Sequence, residues 1–297
     1  MLKKQIQQII DANPDYAAIA SVIEKEILHH DIMGALVRHG AMQSLTFIGG
    51  TSLRLCYNSP RLSEDLDFNA GYNFKPSDFD GLEKEIQAYI QNKYETPVWV
   101  SKPSPDKQGD TASWKISIEK EHDRPDLPRQ KMHIDVCAIP SFDIKKRGLI
   151  NHYNLTVPTE GLLFPVQSLA ETLADKLIAL AYRSRRIKPR DLWDIVWVKQ
   201  RGIELSSVLV DQKLEARGKN KTNFNEALGL QIEKLMRDDD VRTDFYAEIA
   251  RFIPNQIKVR TIDNPDYWAY LQSEVASVSS ALLNPGKPKN MFDMGIP

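Results

Sequence analysis

The chain has 297 residues, 42% of them hydrophobic and 27% charged, with a formal net charge of −1. That length can bury a sizeable core and accommodate two domains, and the near-neutral charge excludes a globally basic nucleic-acid binder, so any such contact must come from local patches such as 183–190 or the loop 217–221. Only Cys56 and Cys137 are present, both in apolar contexts, which argues against a disulfide framework or a zinc site. The polar start Met1-Leu-Lys-Lys-Gln-Ile-Gln-Gln does not read as a signal peptide. No apolar run approaches the about 20 residues a bilayer requires, so a soluble cytoplasmic protein without a membrane partner is expected.

Residues 1–40 read as helical, with Ile19, Ile23, Ile27 and Leu28 forming an apolar stripe. The run 45–48 reads as a strand that stops at Gly49-Gly50, after which 52–57 has the composition of a short helix. Glycine lets the backbone turn tightly and approach a ligand, and N–H groups at a helix start favour phosphate oxygens. Asp65-Leu66-Asp67-Phe68 alternates acid with apolar residue, so on a strand both carboxylates project from one face while Leu66 and Phe68 enter the core. An amphipathic helix is expected over 79–92. Strands are expected over 98–100, 113–118 and 132–136, separated by polar loops at 101–110 and 121–128. In the last strand Met132, Ile134 and Val136 face the core and Lys131, His133, Asp135 and Cys137 the opposite side. His133 is expected to be a structural neighbour of the acids, because magnesium prefers oxygen donors.

From 166 onward helices prevail. Leu169, Leu173, Leu177 and Leu180 recur at helical spacing, Ser168 followed by Glu171 has the pattern of a capping box, and Lys176 rides on this helix. A basic run from Arg183 to Arg190 is interrupted by Pro189 before another helix begins near Asp191, which places Asp191 and Asp194 on nearly one face. Further helices are expected over 224–236, 241–252 and 266–282, and an irregular arm over 284–291. The sequence divides into an α/β domain over 1–160, with a helical N-terminal segment, and a mainly helical domain over 161–297, with a cleft between them.

Two aspartates fixed side by side raise each other's pKa, and divalent metal relieves that repulsion while binding a triphosphate. Asp135 supplies a third carboxylate if its strand neighbours the first. The chain lacks both G-x-x-x-x-G-K-[ST] and a G-x-G-x-x-G after a strand, which removes the P-loop and dinucleotide-binding alternatives. Other residues leave two readings open. Arg61 can hold a phosphate or pair with Glu64 or Asp65; Ser63 can bond a phosphate or cap the turn. The basic run suits phosphate oxygens but also suits a solvated helix end.

Taken together, Ile48-Gly-Gly-Thr-Ser-Leu53, then Tyr57, Arg61-x-Ser63-x-Asp65-x-Asp67-Phe68, Lys176 on its helix and Arg190-Asp191-x-x-Asp194 resemble the nucleotidyltransferases of the AbiEii/AbiGii toxin family, a branch of the polymerase-beta-like superfamily. The resemblance covers roughly 45–200. It implies an α/β nucleotidyltransferase domain with a mixed sheet, followed by a helical C-terminal domain. It further implies an enzyme that moves NMP from an NTP to an RNA acceptor such as a tRNA 3′ end. The expected cofactor is Mg2+ or Mn2+ on Asp65, Asp67 and Asp135. Gly49, Gly50, Thr51 and Ser52 would cradle the triphosphate, Lys176 and Arg190 would neutralise the leaving phosphates, and Arg61, Ser63, Asp191 and Asp194 would complete the nucleotide site. The family role is the toxin of a bacterial toxin–antitoxin or phage-defence pair, with a cognate antitoxin as partner. Two alternatives are a nucleotidyltransferase acting on a small hydroxylated molecule such as an antibiotic, and a non-catalytic nucleotide-binding protein.

Overall fold

The computed structural model describes residues 1–103, 110–119 and 128–283. Most of the two polar loops expected over 101–110 and 121–128, and the arm over 284–291, lie outside the described residues. The helical start consists of α1 (Leu2–Ala12), a 3-10 turn (Pro14–Ile19) and α2 (Ala20–His39). Gly40, at φ +88°, ends α2 in the left-handed conformation that glycine adopts without steric cost. Then follow β1 (Thr46–Ile48), α3 (Gly49–Tyr57), β2 (Leu66–Asn69), α4 (Leu82–Tyr94), β3 (Val98–Ser101), β4 (Thr111–Ile118), β5 (Gln130–Cys137), β6 (Ile144–Arg147) and β7 (Phe164–Gln167). The described residues after β7 are helical: α5 (Leu169–Ala181), α6 (Pro189–Gln200), α7 (Ser207–Ala216), α8 (Lys221–Arg237), α9 (Asp239–Ile249), α10 (Asn255–Arg260) and α11 (Tyr267–Leu283).

Among the described residues, seven strands form one mixed sheet in the order β3-β4-β5-β2-β1-β7-β6. β2 and β5 run parallel, as do β1 and β7, and the other neighbouring pairs are antiparallel. One face is apolar. Phe47 and Phe68 stack at 5.3 Å there and share a core with Leu28 and Ile32 of α2, Ile86 and Ile90 of α4, Trp114 and Ile134. A second core joins α5, α6, α8, α9 and α11 through Leu177, Trp193, Phe224, Phe245 and Leu271, and Leu53 of α3 packs into it, so the short helix after the glycines touches the helical half directly.

Two strands were not expected from the sequence. β6 is Ile-Lys-Lys-Arg, exposed throughout on the sheet edge, and β7 carries Pro165. β6 shows no apolar alternation, and β7, whose Phe164 and Val166 are buried in the core, is only four residues long and interrupted by Pro165; β7 pairs with the free side of β1 and β6 with β7. The sheet therefore extends past residue 160, to Gln167. The capping box at α5 forms by half. Ser168 Oγ accepts the Glu171 N–H at 3.1 Å, but the Glu171 carboxylate turns away to accept the N–H groups of Phe142 and Asp143 and to pair with the buried Lys213. It thereby ties α5 and α7 to the segment after β5.

Candidate active site

α3 starts at Gly49 itself, three residues earlier than its composition indicates. Gly49 has φ +77°, and a Cβ there would collide with the Asp67 carboxylate; a Cβ on Gly50 would lie 2.5 Å from Arg61 Nη2 and 2.9 Å from Ser63 Oγ. Each glycine thus makes room for a different candidate residue. Thr51 and Ser52 are buried, and their hydroxyls are engaged within the protein: Thr51 Oγ1 donates to the Asp65 carbonyl at 2.5 Å and Ser52 Oγ to the Gly49 carbonyl at 2.9 Å. The hydroxyls fix the turn and the start of β2, so what this segment offers an anion is the N–H groups of the first turn of α3.

β2 and β5 pair in parallel with Asp67 opposite Asp135, Leu66 opposite Ile134 and Phe68 opposite Val136. The apolar pairs point into the core, so both carboxylates project from the other face on adjacent strands, about 4.8 Å apart at the backbone. Asp65 lies in the bend immediately before β2, and its Oδ1 accepts the His133 N–H at 2.9 Å, with the imidazole Nδ1 3.2 Å away. His133 therefore anchors Asp65. Burial, then the neighbouring Asp135, push the Asp67 carboxyl up to about 6; Asp65 adds to the rise, while Lys176 and Arg190 oppose it. Asp67 thus senses the other two acids and both expected counter-charges.

The cationic side comes from α5 and α6. Lys176 Nζ lies 2.9 Å from Asp191 Oδ1 and 2.7 Å from Asp194 Oδ2. Burial disfavours the ammonium, but the two carboxylates outweigh it and hold the Lys176 pKa above its usual value. Asp191 also receives Arg183 at 2.8 Å; burial raises its pKa, and Lys176 with Arg183 outweigh that and hold it at about 2.

Arg61 corrects an expectation. Neither Glu64 nor Asp65 is its partner. It is buried, with Nε 3.0 Å from Asp194 Oδ1 and Nη2 2.8 and 2.9 Å from the two carboxylate oxygens, while Nη1 donates to the Leu62 carbonyl. A phosphate therefore meets no free face of this guanidinium, whose fork instead joins the loop before β2 to α6. Arg190 likewise bonds neither Asp191 nor Asp194. Its Nε donates to Glu248 Oε1 at 3.0 Å, and Nη1 lies 3.8 Å from Glu64, which Lys25 also grips at 2.6 Å. Glu64, Glu248 and Arg183 hold the expected cations and acids in place, yet no spacing in the sequence announces these pairings. Only the tertiary structure joins them.

The donor chemistry fits a hard divalent cation. Asp65, Asp67 and Asp135 offer carboxylate oxygens, the donors such a cation prefers, and Asp67 and Asp135 stand on adjacent strands in register. Among the described residues no three His, Cys, Asp or Glu side chains form a ready-made cage. The acids supply part of a coordination shell, and phosphate oxygens and water are the ligands such cations commonly add.

Paired acids beside the start of a glycine-started helix, with a lysine that two other acids keep charged on the cationic side, are the site of an NTP-dependent nucleotidyltransferase, as the family match shows. The model of the family described as nucleotidyl transferase AbiEii toxin, type IV toxin–antitoxin system, matches residues 31–273. The chain belongs to that family of nucleotidyltransferase toxins. Among solved structures it is similar to MenT4, a nucleotidyltransferase toxin of Mycobacterium tuberculosis, with 18% identity and a TM-score of 0.53 over 94% of this chain and 89% of that one. It is also similar to JHP933 of Helicobacter pylori, with 17% identity and a TM-score of 0.46 over 88% and 91% of the two chains. The first likeness supports the fold alone. No curated protein matches the sequence. Among the described residues no helix is long and apolar enough to cross a membrane.

Proposed function

We propose that this chain transfers a nucleoside monophosphate from an NTP to the terminal 3′ hydroxyl of an RNA, such as a tRNA, and that the modified RNA arrests growth until a cognate antitoxin intervenes, in the cytoplasm and in the service of phage defence. The observation that carries the reading is the in-register pairing of Asp67 with Asp135, opposed at Asp67 by the charges of Lys176 and Arg190. The acceptor oxygen attacks the α-phosphorus, the bond from that phosphorus to the β-phosphate oxygen breaks, and pyrophosphate leaves. Asp65, Asp67 and Asp135 would hold Mg2+ or Mn2+, and such an ion would supply positive charge to the triphosphate and lower the pKa of the acceptor hydroxyl. Asp135 lies beside Asp67 where it can receive the acceptor proton. The N–H groups that open α3 after Gly49 and Gly50 bind phosphate, with Ser63 beside them, and Lys176 and Arg190 stabilise the charge that develops on the leaving group. Asp191, Asp194 and Arg61 act through Lys176 by fixing its position.

Incubation of the protein with each labelled NTP and bulk RNA, with magnesium or with EDTA, tests this. Magnesium-dependent label at RNA 3′ ends is expected. Label confined to a small acceptor, or undiminished by EDTA, overturns it.

A further inference from the structure

Beyond Asp135 the sheet continues as an antiparallel sheet of β5, β4 and β3 whose core-facing side is apolar and whose other side, among the described residues, carries no second apolar core. The outward positions form rows across the strands: Ser113 beside Asp135, then Ser101, Lys115 and His133, then Trp99, Ser117 and Lys131. Trp99 is 41% exposed although tryptophan is ordinarily buried, and the Arg129 guanidinium lies over its ring at 3.8 Å. Lys115 and Lys131 are exposed. Among the outward positions of these three strands the only acid is Asp135 itself, at the reacting end. Such a face is continuous with the catalytic acids, basic, and equipped with an aromatic platform. It complements a polyanion with stackable bases.

Resting on the reading that RNA is the acceptor, we infer that the open face of β3, β4 and β5 binds the single-stranded 3′ segment of that RNA. Trp99 and Arg129 form the stacking platform for a base upstream of the reacting terminus, and Lys115 and Lys131 take the intervening phosphates. Open sheets that stack unpaired bases on aromatic side chains, with arginine planes contributing, are a general solution to single-strand recognition. The geometry suits the terminus. Lys131 is four residues from Asp135, about 13 Å along the strand, and Trp99 is two strands across, so the platform lies roughly 16 Å from Asp135. A base held there leaves a few nucleotides to reach the catalytic acids. Ser113, directly opposite Asp135, is placed to contact the last ribose or phosphate.

Steady-state transfer of labelled NMP to bulk RNA by the wild type, Trp99→Ala, Trp99→Phe and the double variant Lys115→Ala/Lys131→Ala tests the inference. All the altered side chains are exposed, and circular dichroism checks that each variant folds. Trp99→Ala is expected to raise KM for RNA roughly tenfold, the loss of one base stack, with KM for NTP and kcat unchanged; Trp99→Phe restores it. The lysine double variant is expected to reduce the slope of log affinity for RNA against log salt by about 1.4, two single-strand phosphate contacts. If the wild type labels RNA and these variants keep its KM and salt slope, the platform is overturned while RNA transfer stands. If the wild type releases pyrophosphate without labelling RNA, both fall. If the variants lose affinity for the antitoxin and not for RNA, the face belongs to a protein partner and the inference is overturned.

Discussion

Asp67 and Asp135 stand directly opposite one another on the parallel neighbours β2 and β5, and the Asp67 carboxyl is pushed up to about 6 by burial and by that neighbour. A carboxyl that binds its proton more tightly when folded lowers stability as pH rises from its unfolded value of 3.8 towards about 6. The metal-free protein should therefore lose stability across that window in urea titrations, and Asp135→Asn should shrink the loss by removing the repulsion. Both Asp67→Asn and Asp135→Asn should lower nucleotidyl transfer by about a hundredfold or more while leaving the fold intact by circular dichroism.

The buried fork between Arg61 and Asp194 joins the loop before β2 to α6. Removing Arg61 leaves the buried Asp194 with Lys176 as its remaining ion-pair partner. Arg61→Met should cost about 3 kcal/mol in chemical denaturation, and the double change Arg61→Met/Asp194→Leu, which also takes a partner from Lys176, should recover only part of it. Arg61→Lys should not rescue fully, since an ammonium cannot reproduce the two-pronged contact.

At Gly49 the constraint is both conformational and steric. The left-handed φ of +77° is unfavourable for alanine, and the added Cβ would press on the Asp67 carboxylate. Gly49→Ala should reduce transfer more than it reduces stability. Gly50→Ala, whose Cβ meets the Arg61 guanidinium, should cost about 1–3 kcal/mol of stability in thermal melts as that side chain is displaced.

Asp191 has the opposite sign from Asp67. Lys176 and Arg183 outweigh its burial and hold it at about 2, below its ordinary value of 3.8. Its contribution, about 2 kcal/mol, is fully present above 3.8 and is lost as pH falls towards 2. Asp191→Asn should flatten the stability profile over that acid range when urea midpoints are compared from pH 2 to pH 5.

Local pattern revealed much of the fold and which candidate side chains share a face. The alternation in Asp65-Leu66-Asp67-Phe68 and Lys131–Cys137 encodes which side chains face out, and that periodicity survives because one face of the sheet is buried. The leucine spacing places Lys176 on α5 for the same reason. β6 was hidden because an exposed edge strand need not alternate, and β7 because Phe164 and Val166 are too short an apolar pair, with Pro165 between them, to announce a strand. Thr51 and Ser52 read as ligand contacts because a hydroxyl in sequence does not reveal whether its partner is a phosphate or the carbonyl beside it.

By itself, then, the sequence determined the acids, the glycine turn and the lysine helix, since strand and helix periods act over a few residues. Only the tertiary structure decided that Asp67 meets Asp135, that Arg61 binds Asp194, and that Arg190 answers to Glu248 and Glu64. Those relationships depend on which strands become neighbours and which helix covers them. Long-range packing settles that, and no short spacing carries it.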